Sequence, residues 1–325
     1  MNILVTGANG QLGCELRYLV EQLDAEGKTK HNYIFTSQSG TNKENNETLK
    51  KLLGRELVSS DVIKLDITNY DLLYDFVKEG GFKVIINCAA YTNVEKAQDE
   101  YDLANQVNNK AVRNMARIMK EVGGVLIHIS TDYVFDGKQN WPYLECNFPT
   151  SINNYGQTKL MGELSIDVIG CRHLTIRTSW LYSEFGKNFL KTMMSLTTTK
   201  DEVKVVFDQI GSPTYALDLA EFILKVCEEN KLDDIKETNS FNDTYHFTNE
   251  GICSWYDFAY KIASSLDNAK AKITPCYTRD FPSKARRPRY SVLDKNKVKT
   301  TFNVNIPYWS DQVEKCINNI KIINK

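Results

Sequence analysis

A doubly wound, mostly parallel α/β sheet with a smaller mixed α/β lobe is the fold class this sequence predicts, on three observations. Short apolar runs recur at 3–5, 33–35, 62–65, 84–87, 125–130 and 174–177; being nearly all apolar, they suit strands covered on both faces. The segments between them, such as 15–23 and 103–122, carry apolar residues at helical period. Finally, Gly7-Ala8-Asn9-Gly10-Gln11-Leu12-Gly13 follows the first run directly and opens the first helical stretch, the Rossmann-type arrangement that holds a dinucleotide.

The bulk numbers fit an enclosed site in an intracellular protein. With 325 residues the chain can bury a full core. Lys plus Arg is 40 against 41 for Asp plus Glu, so no global field attracts nucleic acid or an anionic membrane, and a small-molecule partner is expected. Eight cysteines are scattered without a C-x-x-C pair, which reads as reduced packing residues in a cytoplasmic protein. The four histidines lie far apart, His128 and His173 within strand-like runs; they read as ordinary core or edge residues, and no metal site is predicted. Nowhere do 18 apolar residues follow one another, so no membrane span is expected.

After about residue 180 the rhythm breaks. A helical segment near 188–196, a strand at 203–206, a helix at 216–229 and mixed structure follow, with a strand-like run at 244–247 that can rejoin the main sheet. The predicted division is a dinucleotide-binding domain at 1–180, with a returning segment near 205–250, and a mainly substrate-binding lobe at 181–325. The polar stretch 38–57 looks like an insertion, partly helical around 47–53, lying on the surface without chemistry.

In the glycine motif, Gly7 permits the tight turn, Gly10 lets backbone approach phosphate and Gly13 lets the helix pack on the sheet. The phosphate then rests on N–H groups at the helix N-terminus, where Gln11 and Leu12 lie. NAD sites usually place a carboxylate at the end of the second strand. This chain has Thr36, Ser37 and Gln38 there, so NADPH is the expected cofactor, with NADH admitted. Asp66 and Ile67 follow the third run and are placed to meet the adenine, although Asp66 equally suits a helix N-cap. Cys88, Ala89 and Ala90 follow the fourth and offer small side chains beside ribose and nicotinamide.

Tyr155 and Lys159 are four apart, on one face of a helix. A neighbouring ammonium stabilises phenolate, which makes the phenol, ordinarily of pKa ~10, a better acid towards a carbonyl oxygen. The same spacing occurs at Tyr74 and Lys78. Context separates the two pairs: Tyr155 follows the run 125–130 and Thr131, at a strand C-terminal end where open α/β sheets place their ligands. Thr131 can hydrogen-bond the same carbonyl oxygen. Lys284, Arg286, Arg287 and Arg289 suit either a diphosphate or a solvated basic loop. Asn188, Gln209 and Arg279 are further polar candidates without an assigned role.

Together, Thr6-Gly7-Ala8-Asn9-Gly10-Gln11-Leu12-Gly13, Ser130-Thr131-Asp132-Tyr133-Val134-Phe135-Asp136-Gly137, Tyr155-Gly156-Gln157-Thr158-Lys159, Arg177-Thr178-Ser179-Trp180 and Gly211-Ser212-Pro213-Thr214 resemble the extended short-chain dehydrogenase/reductase family. Within it the chain is most similar to the dTDP-4-dehydrorhamnose reductases, from residue 1 to about 295, and departs chiefly at 38–57. The resemblance implies NAD(P)H-dependent reduction of the C4 ketone of dTDP-4-dehydro-L-rhamnose to dTDP-L-rhamnose. Thr131, Tyr155 and Lys159 take the family's catalytic Ser/Thr, Tyr and Lys roles, while Tyr133 and Trp180 match positions where the family contacts the sugar; Asp132 and Arg287 are further substrate-binding candidates. Related dehydratases carry Thr-Asp-Glu where this chain has Thr131-Asp132-Tyr133, so simple reduction is favoured over loss of water. Other nucleotide-sugar reductases or epimerases, and a non-catalytic NADP-binding regulatory subunit, are the alternatives. Some relatives are dimers that use magnesium; a homodimer stays open, and no carboxylate cluster in the sequence calls for a metal.

Overall fold

A computed structural model describes residues 1–59, 61–229 and 242–325. Its centre is one seven-stranded sheet built from β1 (Asn2–Thr6), β2 (Asn32–Ser37), β3 (Ile63–Lys64), β4 (Phe82–Asn87), β5 (Val125–Thr131), β6 (Arg172–Thr178) and the strand Asn242–His246. Across the sheet the order is Asn242–His246, β6, β5, β4, β1, β2, β3. Every pairing in it is parallel. The predicted returning strand is the edge strand beside β6, in register Tyr245 to Ile176; the part of that expected segment at 230–241 lies outside the described residues.

Strand alternation divides the core between the two faces. Ile3, Val5, Val84, Ile86, Val125 and Ile127 face one side. There they meet α1 (Gln11–Ala25) through Leu12 and Leu16. Leu4, Ile85 and Leu126 point the other way. The continuous helix expected at 103–122 is instead α4 (Tyr101–Asn105), a π-helical turn at Gln106–Lys110, and α5 (Ala111–Glu121), which covers that second face with Val112, Met115 and Met119. Such widened turns recur at functional sites, and this one presents Gln106 and Val107 to the cleft described below.

α6 (Asn154–Ile169) returns the chain to β6. Beyond β6, α7 (Phe189–Thr199), α8 (Ala216–Glu228) and α9 (Trp255–Ser264) alternate with strands of two to five residues. A second apolar cluster joins Tyr182, Leu190, Tyr215, Phe258 and Trp309 there. All eight cysteines are free thiols. Among the described residues, no helix is long and apolar enough to cross a membrane.

The helix expected around 47–53 is present and begins earlier, as α2 (Lys43–Leu53), capped by Asn42; most of it faces solvent, but it is anchored to the body of the protein. Leu49 is fully buried against Cys14 of α1 and Phe185. The Arg17 guanidinium donates to Asn46 Oδ1 at 2.6 Å, and Lys51 Nζ reaches the Ile323 carbonyl at 2.6 Å. Leu49→Ala is therefore expected to lower the unfolding free energy by about 2–5 kcal/mol, measured as a shift in the urea midpoint. A loss below about 1 kcal/mol would show that the helix is a surface appendage.

Candidate active site

The sheet order reverses between β1 and β4, because the chain leaves β1 towards β2 on one side and later returns to β4 on the other. Parallel sheets open a crevice at such a switch point. A cleft of about 1060 Å³ lies there. Of the predicted site residues, Gly7, Gly10, Gln11, Leu12, Ser37, Asp66, Ile67, Cys88, Ala89, Ala90, Thr131, Asp132, Tyr133, Tyr155, Lys159, Trp180 and Arg287 all line it. Gly13 does not; it packs one turn down α1 against the Gly7 carbonyl and Ala8, where a Cβ has no room.

One end of the cleft suits a dinucleotide. Gly7 has φ +69, and a Cβ on it would stand 2.5 Å from the Ala89 nitrogen and 2.7 Å from the Cys88 carbonyl carbon. Gly10 precedes α1 without a side-chain cap, which leaves first-turn N–H groups for a pyrophosphate. At the end of β2 the polar groups are hydroxyls and amides: Asn9 Nδ2 donates to Ser37 Oγ at 2.8 Å and to the Gly40 carbonyl at 2.8 Å. Asp66 is not a helix cap, since α3 (Tyr70–Glu79) is capped by Asn69. Its carboxylate closes a local turn, accepting from Thr68 N at 2.9 Å and Thr68 Oγ1 at 2.7 Å. Those bonds hold it below the usual carboxylate range.

The other end brings the catalytic candidates together. Thr131 ends β5, and its Oγ1 accepts from Tyr133 N at 3.2 Å. Asn153 caps α6 through Gly156 N at 2.8 Å. Gly156 lies so close to the Tyr133 backbone that a Cβ would come within 2.8 Å of its carbonyl carbon. This approach sets Tyr155 beside Thr131, and the Tyr133 and Tyr155 rings meet edge to face at 6.0 Å. Burial pushes the Tyr155 phenol up to about 12; a hydrogen bond with Thr131 opposes the rise and Asp132 adds to it. The phenol therefore stays protonated at neutral pH and is available as a proton donor.

Lys159 departs from expectation. Its ammonium, 2% exposed, donates to the Ile129 carbonyl at 2.6 Å and lies 3.5 Å from His128 Nε2. Lys159 is not among the groups that shift the phenol, which burial, Thr131 and Asp132 govern. Burial lowers the lysine itself to about 8, opposed first by the Glu163 carboxylate. His128 is a core residue, as expected: it is fully buried in β5, burial and the Lys159 charge push it well below its ordinary value, and its Nδ1 sits 3.1 Å from Asn87 Nδ2. Tyr74 and Lys78 form an exposed triad with Glu121 outside the cleft, at 2.6 Å between ammonium and phenol.

The basic cluster is divided. Lys284 pairs with Asp99 at 2.7 Å and Arg287 with Glu95 at 2.6 Å; of the four, only Arg287 lines the cleft. Gln209 bonds Thr278 and Arg279 stacks on Tyr277, both away from it. Asn188 reaches Gln11 Oε1 at 2.9 Å and caps α7. Sequence reasoning missed Trp255 and Phe189 in the cleft wall, which carry no motif, and the ion pair of Glu163 with Arg177 at 2.7 Å. Glu163 had a signal: it is four residues beyond Lys159 on the same helical face. Among the described residues, no group of three or more His, Cys, Asp or Glu is arranged to hold a metal ion.

The model of the RmlD substrate binding domain family matches residues 1–322. The chain belongs to this family. A dTDP-4-dehydrorhamnose reductase of Burkholderia thailandensis is 33% identical over 98% of this chain and 99% of its own length. The crystal structure of a Clostridium acetobutylicum dTDP-4-dehydrorhamnose reductase is 37% identical with a TM-score of 0.83, covering 99% of this chain and all of that one. A Bacillus anthracis dTDP-4-dehydrorhamnose reductase, solved in complex with NADP, is 37% identical with a TM-score of 0.79, covering 98% of each chain.

In this RmlD-family member Asp132 carries a pH signature of its own. Its Oδ1 lies 3.1 Å from Thr131 Oγ1, and its Oδ2 has no partner among the described residues. Burial raises its pKa from the ordinary 3.8 to about 7. Between those values the folded protein keeps a proton that the unfolded chain has lost, so this stability is full at low pH and disappears as pH rises through about 7. Asp132→Asn is expected to remove that decline, its thermal midpoint gaining on the wild type across the window. Parallel profiles would contradict the assignment.

Proposed function

We propose that this chain reduces the C4 ketone of dTDP-4-dehydro-L-rhamnose to dTDP-L-rhamnose, using NADPH, with NADH as the lesser donor, in the cytoplasm. The observation that carries the reading is the convergence of Thr131, Tyr155 and Lys159 on the cleft whose other end is the Gly7 and Gly10 cradle, in a chain of this family. On this reading residues 1–180 with the strand Asn242–His246 hold the cofactor, and 181–325 mainly hold the sugar nucleotide.

When bound, the reduced nicotinamide supplies the hydride. Thr131 and Tyr155 take the ketone oxygen between their hydroxyls, and Tyr155 gives the proton as negative charge develops there. Lys159 anchors the cofactor ribose and keeps positive charge at that end of the cleft. Gly7, Gly10, Gln11, Leu12 and Ser37 hold the phosphates and the adenosine ribose, Asp66 and Ile67 flank the adenine, and Cys88, Ala89 and Ala90 lie beside the nicotinamide ribose. Arg287 exchanges Glu95 for the diphosphate, while Asp132, Tyr133 and Trp180 bound the hexose. Ser37 at the end of β2 leaves room for a 2′-phosphate where a carboxylate would repel one.

Mixing the folded protein with dTDP-4-dehydro-L-rhamnose and NADPH should cause loss of reduced-nicotinamide absorbance. Tyr155→Phe should lower kcat by about 10²–10⁴-fold with NADPH affinity unchanged, whereas Tyr74→Phe should turn over like the wild type. Folded protein that oxidises no NADPH overturns the reading, and equal effects of the two substitutions overturn the choice of acid.

A further inference from the structure

Trp180 has φ +48, in the left-handed region that a bulky side chain rarely occupies. The other non-glycine residue there among those described is Asn303, at a helix C-cap where the conformation is ordinary. Trp180 has no such local reason. Its indole lies face to face on Trp255, with ring centroids 3.7 Å apart and 11° between planes, closer than the usual offset or edge-to-face arrangements. A strained backbone and a close ring contact at one residue of a cleft wall indicate a position fixed by its surroundings.

The surroundings that fix it are visible. Ser179 Oγ donates to the Ser212 carbonyl at 2.6 Å, and Thr214 N donates to the Trp180 carbonyl at 3.3 Å, so the backbone is held on both sides of the strained residue. Gly211 lies against the indole: a Cβ there would stand 2.8 Å from Cε2 and Cζ2 and 3.0 Å from Nε1. Gly211 also pairs with Cys253 in a short antiparallel ladder. The next residue, Ser254, caps α9 by a reciprocal capping box with Asp257, which sets Trp255 at the first helical position. Phe189 of α7 backs Trp255 at 4.6 Å between centroids. Trp180, Trp255 and Phe189 all line the cleft.

We propose that Trp255 is a positioning residue for the sugar. It holds the Trp180 indole, by stacking, in the left-handed conformation that turns the ring into the cleft, while Gly211 supplies the space the ring needs. The pair forms a rigid aromatic platform for the apolar face of the hexose, so the inference rests on the nucleotide-sugar reading above.

Stacked tryptophans couple their electronic transitions, so the wild-type protein should show an exciton couplet in far-ultraviolet circular dichroism. Trp255→Phe should abolish it, and titration with dTDP-L-rhamnose should change it in the wild type. In turnover, Trp255→Phe should raise the KM for dTDP-4-dehydro-L-rhamnose by roughly 3- to 10-fold with the KM for NADPH unchanged. Gly211→Ala, which displaces the ring from the other side, should do the same with Trp255 intact. Retained NADPH binding verifies folding of either variant. A wild-type protein without the couplet, or wild-type turnover with an unchanged sugar KM in both variants, overturns the platform alone. Wild-type protein that neither binds nor reduces the nucleotide sugar overturns the underlying reading and the platform with it.

Discussion

The ammonium of Lys159, buried at the junction of β5 and α6, constrains the whole catalytic end of this molecule. A buried charge is tolerated only when it is paired and hydrogen-bonded. The carboxylate that most offsets its burial, Glu163, stands one helical turn further along α6 and is locked in an ion pair of its own: Ser130 of β5 donates to it, and Arg177 of β6 grips both carboxylate oxygens, at 3.0 and 2.7 Å. Breaking such a pair by removing one partner costs about 3–5 kcal/mol. Rotating or sliding α6 against the sheet would strand these charges, so Tyr155, on the same helical face, is fixed opposite Thr131.

That anchoring explains why a phenol pushed upward by burial is useful. In the reductive direction the group must carry its proton until charge develops on the substrate oxygen, and a donor that stays protonated does so at any ordinary pH. Lys159 lines the same cleft, with its nitrogen satisfied by the Ile129 carbonyl. The neutral His128 beside it, tied to Asn87 and through it to Thr6 Oγ1 at 2.7 Å, extends the same polar chain to the root of the glycine turn. The glycine turn and Lys159 are thus joined through one buried chain of polar groups.

Much of this was legible in the sequence because the relevant signals are local. The apolar runs set the strands, since both faces of a parallel sheet are covered; the glycine turn and the residues at the ends of β4 and β5 fall on the cleft because strand C-terminal ends open there. The Tyr-x-x-x-Lys spacing was ambiguous on its own, and only position relative to β5 separated Tyr155 from Tyr74. What sequence could not supply were contacts made at long range. Trp255 meets Trp180, and Glu95 meets Arg287, through chain crossings that leave no spacing pattern. The anchoring of α2 rested on Leu49, one apolar residue in a polar stretch, whose burial depends on Phe185 from the far side of β6. The strands of two residues after β6 were too short for any period to appear.

The central claim is that the cleft delivers a hydride to C4 of a hexose held against Thr131 and Tyr155. Its most direct test is to supply NADPH carrying deuterium at the transferable position together with dTDP-4-dehydro-L-rhamnose, and to locate the label in the product by NMR. The account predicts deuterium at C4 of dTDP-L-rhamnose, with a single configuration. Product without deuterium, or deuterium at another carbon, would contradict it.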